Sequence, residues 1–165
     1  MVTTRSGRGS ATTTQTKCLV TGGCGFLGRH LVEQLLEAGQ YDVTVFDIRD
    51  TGMSQDVKVV VGDLRNPAQV DAAVEGVAVV FHVATAAPSG ENSLNKSLMY
   101  SVNVEGTRNV LDACVRHHVP RLVYTSSASV VFQGRNLDMV DETCPVAEKP
   151  MDYYTQVCVC VGGEF

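Results

Sequence analysis

The chain has 165 residues, enough for one domain with a sizeable core and too few for two. Hydrophobic residues make up 44% and charged residues 19%, the balance of an ordinary soluble globular protein. A net charge of −5, with Lys and Arg nowhere clustered, argues against a nucleic-acid surface, and no apolar run approaches the length of a membrane span.

Residues 1–16 are mostly Thr, Ser, Gly and Arg, with almost nothing apolar to bury, which predicts a disordered tail. No acidic residue precedes Glu33, a bias shared with organelle transit peptides, but a plain flexible terminus is the simpler account. Cys18-Leu19-Val20-Thr21 reads as a buried strand ending in glycines. From Phe26 the period turns helical. Leu27, Leu31 and Leu35 are spaced by four, Val32 and Leu36 lie beside them, and Gly39 falls where a C-cap glycine belongs.

Residues 43–46 and 57–61 read as the second and third strands. A short helix is expected from Pro67, suited to a first turn, to about Val74. Residues 77–83 form the fourth strand, with His82 inside it. The longest helix is predicted over residues 98–117, where Leu98, Val102, Gly106, Val110 and Cys114 repeat every four residues, and Pro120 ends it. Leu122-Val123-Tyr124-Thr125 is the fifth strand. Strands alternating with helices imply right-handed crossovers and an α/β fold, a doubly wound parallel sheet covered on both faces.

Six cysteines stand at 18, 24, 114, 144, 158 and 160, with no CxxC pair and no signal-peptide pattern, so a reduced, cytoplasmic setting is expected. Cys158 and Cys160 lack the second ligand pair that a metal site needs. No metal is expected.

The strongest chemical signal is Thr21-Gly22-Gly23-Cys24-Gly25-Phe26-Leu27-Gly28. Glycines at 22, 25 and 28 join the first strand to the first helix. There the chain must turn sharply, let a pyrophosphate approach the backbone, and pack helix closely on strand. The helix N-terminus then offers free N–H groups and the positive end of its dipole to phosphates. Asp47 follows Gly28 by 19 residues at the end of the second strand, where a carboxylate accepts ribose hydroxyls and repels a 2′-phosphate. NAD is therefore expected over NADP, with Arg49 the residue that would favour the phosphate. Asp63 suits either an adenine contact or a turn. His82 reads as a satisfied strand-end histidine, and His117 and His118 as helix C-terminal residues suited to the dipole.

These residues resemble the extended short-chain dehydrogenase/reductase family. The glycine loop is followed in the family's order by Phe81-His82-Val83-Ala84, Asn103-Val104-Glu105-Gly106-Thr107 and Thr125-Ser126-Ser127-Ala128-Ser129-Val130. Within it the chain is most similar to the 3β-hydroxysteroid dehydrogenases, in particular their sterol 4α-carboxylate branch. That narrower match rests on the run from Thr125 to Gly134 and on Lys149-Pro150-Met151-Asp152-Tyr153-Tyr154-Thr155. Flavonoid-type reductases share Val-Phe-His-Val-Ala-Thr, and sugar-nucleotide epimerases share the Ser-Ser-Ala run.

The resemblance implies a Rossmann domain over residues 17–156 and NAD-dependent oxidation of a sterol 3β-hydroxyl to the ketone. It implies Tyr154 as general base and Ser127, with Ser126 as its alternative, on the substrate oxygen. The cofactor set it implies is Gly22, Gly25, Phe26, Leu27 and Gly28 from the loop and helix, with Asp47, Asp63, Leu64 and Ala84 from the later strand ends. It further implies a small-molecule sterol as partner, a homodimer, and association of a longer form with the endoplasmic reticulum.

The match breaks four residues after Tyr154, where the family has lysine and this chain has Cys158. A free tyrosine titrates near pH 10, so a base working near neutrality needs a shift of roughly three units, about 4 kcal/mol, usually supplied by a fixed cation. A thiol does not supply it, and little dehydrogenase activity is expected of this chain. Family members continue well past residue 165. Residues 157–165 are accordingly read as an aberrant tail, from read-through at a splice donor, and the fifth strand is expected to be a bare edge. The alternatives are a dinucleotide-binding module without chemistry, or a sugar-nucleotide epimerase or dehydratase or a flavonoid-type reductase on the same fold.

Overall fold

The computed structural model describes residues 14–87, 95–134, 136–141 and 143–164. Five parallel strands, β1 (Thr16–Thr21), β2 (Tyr41–Asp47), β3 (Lys58–Val61), β4 (Val79–His82) and β5 (Leu122–Tyr124), lie in the order β3-β2-β1-β4-β5. The reversal of winding falls between β1 and β4, so the carboxyl ends of β1, β2 and β4 open a crevice there.

Side-chain alternation along the strands builds two cores. Helix α1 (Phe26–Glu37) seals one face, where Val32 and Leu35 pack on Cys18, Val20, Val43, Val45 and Val79. Helices α2 (Pro67–Val74) and α4 (Gly106–Arg116) seal the other, where Val70, Val74, Val110 and Ala113 meet Leu19, Phe46 and Val80. Asn66 caps α2 by accepting from the N–H groups of Ala68 and Gln69, and Pro67 opens its first turn. Past α1, Gly39 takes φ +68 and its N–H donates to Leu36 O, the expected cap.

The structure corrects two expectations. Of the tail over 1–16, residues 1–13 lie outside the described residues, but Thr16 begins β1 and pairs with Tyr41. The Thr16 N–H donates to Gln40 O, so backbone pairing extends the strand past its apolar run, and the Gln15 side chain adds a bond to Gly39 O.

The single helix over 98–117 is three segments: α3 (Lys96–Tyr100), a π turn (Ser101–Glu105) and α4. The Gly106 N–H reaches five residues back to Ser101 O. That inserted residue rotates the buried stripe from Met99, Asn103 and Val104 to Gly106, Thr107, Val110 and Ala113. At Gly106 a Cβ would stand 2.9 Å from the Leu64 Cβ, so glycine is what lets α4 close on the loop after β3.

Residues 157–164, read as an aberrant tail, belong to helix α5 (Tyr153–Glu164). Val157 and Val161 bury against Val104 of the π turn, with Tyr124 and Tyr153 beside them. An apolar stripe at i and i+4 is all such docking needs.

Candidate active site

The glycine loop is shaped by contacts that leave no room for side chains. Gly22 takes φ +71, and a Cβ there would stand 2.6 Å from Ala84 Cα. A Cβ on Gly28 would stand 2.2 Å from Gly22 O, so the start of α1 can press onto the loop only with glycine at this position. Gly25 differs: its Cβ would meet only Gly22 O, at 3.2 Å, so the protein itself barely demands glycine there. Gly23, not singled out from the sequence, is demanded, because its Cβ would stand 2.6 Å from a Val45 methyl carbon.

Helix α1 begins without a side-chain cap, and its first bond runs from Arg29 N–H to Gly25 O. The amides of Phe26, Leu27 and Gly28 therefore have no partner within the helix. Phe26, 84% exposed, and Leu27, 50% exposed, present apolar surface at this mouth.

A cleft of about 890 Å³ runs along the carboxyl ends of the strands. Its walls include Gly22, Gly25, Phe26, Leu27, Gly28, Asp47, Asp63, Leu64, Ala84 and Tyr154. Of the serine pair it is Ser126 that lines the wall. Ser127 caps a short 3-10 turn (Ala128–Val131) through Ser129 N–H, and its hydroxyl is among the groups that act on the Tyr154 phenol.

At the β2 end, Asp47 Oδ2 accepts the Cys24 N–H at 3.0 Å, tying the carboxylate to the glycine loop. Arg29 reinforces that tie from outside, donating to Cys24 O and to Thr51 O. Arg49 lies in the same wall. At the β3 end, Asp63 is forked by Arg65, whose Nε lies 3.0 Å from both carboxylate oxygens. The guanidinium holds the Asp63 carboxyl below the usual carboxylate range. Asp63 N–H donates to the Gln69 side chain, so the turn role and the cleft position coexist.

His82 is buried at the end of β4, between the hydroxyls of Thr21 and Thr107, and burial holds its imidazole down at about 4. His117 ends α4 with Nε2 3.1 Å from Asp71 Oδ1, and His118 takes φ +54 in the turn that follows. Neither lines the cleft.

Tyr154, the second residue of α5, lines the same cleft. Its phenol contacts the hydroxyls of Thr85 and Ser127, whose hydrogen bonds favour the ionised form. Burial and the neighbouring Cys158 outweigh them and push the phenol above its ordinary value. Burial likewise raises the Cys158 thiol, and Tyr124 is pushed up to about 12. The thiol thus opposes ionisation where a cation would promote it.

Thr85, Asn103 and Arg65 were not singled out as site residues from the sequence. Their positions depend on the π turn and on the loops after β3 and β4, which leave no periodic signal. Among the described residues no group of three or more His, Cys, Asp or Glu stands together as a metal set, and no helix is long and apolar enough to cross a membrane.

Known proteins share this arrangement. The sterol-4-alpha-carboxylate 3-dehydrogenases (decarboxylating) of Bos taurus and Mus musculus are 46% and 48% identical over 140 residues, 85% of this chain. The chain spans 38% of the length of each of those relatives. Among solved structures, a short-chain dehydrogenase/reductase superfamily protein from Agrobacterium tumefaciens with bound NAD has a TM-score of 0.77 at 33% identity, over 90% of this chain and 43% of that one. UDP-glucose 4-epimerase from Thermus thermophilus, in complex with NAD, has a TM-score of 0.79 at 30% identity, over 90% and 49%. The sequence model of the 3-beta hydroxysteroid dehydrogenase/isomerase family matches residues 19–159, from inside β1 through the glycine loop to the Tyr154 helix. By that match the chain belongs to the 3-beta hydroxysteroid dehydrogenase/isomerase family.

Proposed function

We propose that this chain is the cofactor-binding part of an NAD-dependent dehydrogenase that oxidises the 3β-hydroxyl of a sterol 4α-carboxylate. The observation that carries the reading is one cleft with a side-chain-free phosphate cradle at Gly22 and Gly28 and a tyrosine–serine pair on its wall. The names of the relatives supply the substrate class, and the two NAD-bound neighbours supply the cofactor.

The residues fit a dinucleotide. The free amides at the start of α1 would receive the pyrophosphate, Asp47 the adenosine ribose, and Asp63, Leu64 and Ala84 the walls of the adenine slot. Bound NAD supplies the acceptor for the hydride leaving the carbinol carbon. Tyr154 takes the hydroxyl proton, and the serine pair holds the substrate oxygen, Ser127 from beside the phenol and Ser126 from the cleft wall. Oxidation at C3 beside a C4 carboxylate makes a β-keto acid, which loses CO2. A homodimer, cytoplasmic residence and endoplasmic-reticulum association of a longer form are part of the same proposal.

Cys158 favours a second reading for the chain in its present form, a dinucleotide-binding module with little chemistry. Calorimetry with NAD and NADP, followed by NADH formation on a sterol 4α-carboxylate, separates the two. Tight NAD binding, weak NADP binding and slow turnover are expected. Failure to bind either dinucleotide would refute the proposal, and turnover at ordinary enzyme rates would refute the module reading.

A further inference from the structure

Behind the cleft a buried run of hydrogen bonds connects three elements. Thr107 Oγ1 donates to Asn103 O, four residues back across the end of the π turn, at 2.7 Å. With its one proton committed there, the hydroxyl can only accept from His82 Nε2, 2.9 Å away. The imidazole proton therefore sits on Nε2, and Nδ1 accepts from Thr21 Oγ1 at 2.6 Å. The lone pairs of Thr21 face the Ala84 N–H at 3.4 Å. Thr21, His82 and Thr107 are all buried, and Tyr124 stacks on the ring with centroids 5.5 Å apart.

The same run ends on a clamp. The Asn103 carboxamide accepts the Ala86 N–H at 2.7 Å and donates to Ala86 O at 3.1 Å. Its oxygen also accepts from Thr85 Oγ1 at 3.2 Å. Thr85 in turn contacts the Tyr154 phenol, and residues 83–87 form one wall of the cleft.

We propose that His82 and Thr107 are positioning residues, their buried relay holding Asn103 where its carboxamide clamps the Thr85–Ala86 segment against the cofactor cleft. The relay needs a neutral imidazole protonated on Nε2, because moving that proton to Nδ1 would set the Nε2 lone pair against the Thr107 hydroxyl oxygen, whose own proton is committed to Asn103 O. Burial keeps the ring neutral. Valine at 107 keeps the shape of threonine and removes both hydrogen bonds, leaving the His82 N–H without its acceptor and Asn103 O without the hydroxyl. Serine keeps the hydroxyl.

The inference rests on the dinucleotide reading of the cleft only for its consequence, so its test has two readouts on the intact chain. The first is hydrogen exchange of the Ala86 amide, which needs no ligand. Thr107→Val should speed it about tenfold while Thr107→Ser leaves it near wild type. The second is NAD affinity by calorimetry, which Thr107→Val should weaken about tenfold with rescue by Thr107→Ser. Unchanged Ala86 exchange in Thr107→Val, or a Thr107→Ser protein as perturbed as Thr107→Val, overturns the relay. Faster exchange with unchanged NAD affinity overturns the positioning role. A wild-type chain that shows the exchange pattern but binds no NAD overturns the dinucleotide reading and leaves the clamp standing.

Discussion

Tyr154, Tyr124 and Cys158 sit together as three weak acids, and none of the groups that move the Tyr154 phenol is a cation. A raised phenol stays protonated throughout the neutral range and ionises only in alkali, so the base form needed for proton abstraction is scarce at neutral pH. Cys158→Lys should reverse the sign. The new ammonium replaces an acid with a cation on the same helix face, and an opposite charge within about 4–6 Å lowers a pKa by roughly 1–3 units. Ring-carbon NMR titration, with the signal assigned by Tyr154→Phe, reads the shift directly. Cys158→Ser should leave the phenol high. A Cys158→Lys variant with the wild-type titration would show that a cation at position 158 does not act on the Tyr154 phenol.

The turn from β1 into α1 separates two kinds of glycine. Gly28→Ala pushes a Cβ to 2.2 Å from a backbone oxygen that cannot swing away, so the helix start must move. Overpacking of this sort costs about 1–3 kcal/mol, and urea denaturation should register it together with loss of NAD binding. Gly25→Ala meets nothing closer than 3.2 Å and should leave stability within about 0.5 kcal/mol of wild type. If a pyrophosphate approaches the backbone there, NAD affinity should still fall. Equal stability losses in the two variants would contradict this division. The π turn belongs to the same scale. Asn103 and Thr107 occupy a buried stripe because their side chains hold Ala86 and His82, whereas a repeat of four in the sequence carries no mark of one inserted residue.

Across the molecule the two sheet faces are covered unequally. Helices α2, α4 and α5 cover one face, while among the described residues the core on the other is built on α1 alone. Val123 of β5 lies at the end of the strand order and is 50% exposed. Among the described residues no strand pairs with the outer side of β5, so an apolar edge is available to another chain. Val123→Lys should therefore suppress self-association, read by light scattering across a concentration series, with little change in unfolding midpoint. Association that persists unchanged would place the contact elsewhere.

Much of this was readable in the residues themselves. The succession of strands and helices and the glycine turn follow from local periodicity and from positions where a Cβ cannot fit, and these are properties of short stretches of chain. The end of α2 at Val74 and the cap at Gly39 were legible for the same reason. Contacts between distant segments were not. The bend of the long helix, the Asn103 clamp on Ala86, the Arg65 fork on Asp63 and the docking of Val157 and Val161 on Val104 bring together residues whose pairing has no period. Tyr154 illustrates the boundary. Its place four residues before Cys158 is written in the chain, but its burial and its neighbours Thr85 and Ser127 are set only once α5 lies against the π turn. Ionisation depends on the dielectric and on the neighbours, and both are set by the packed molecule.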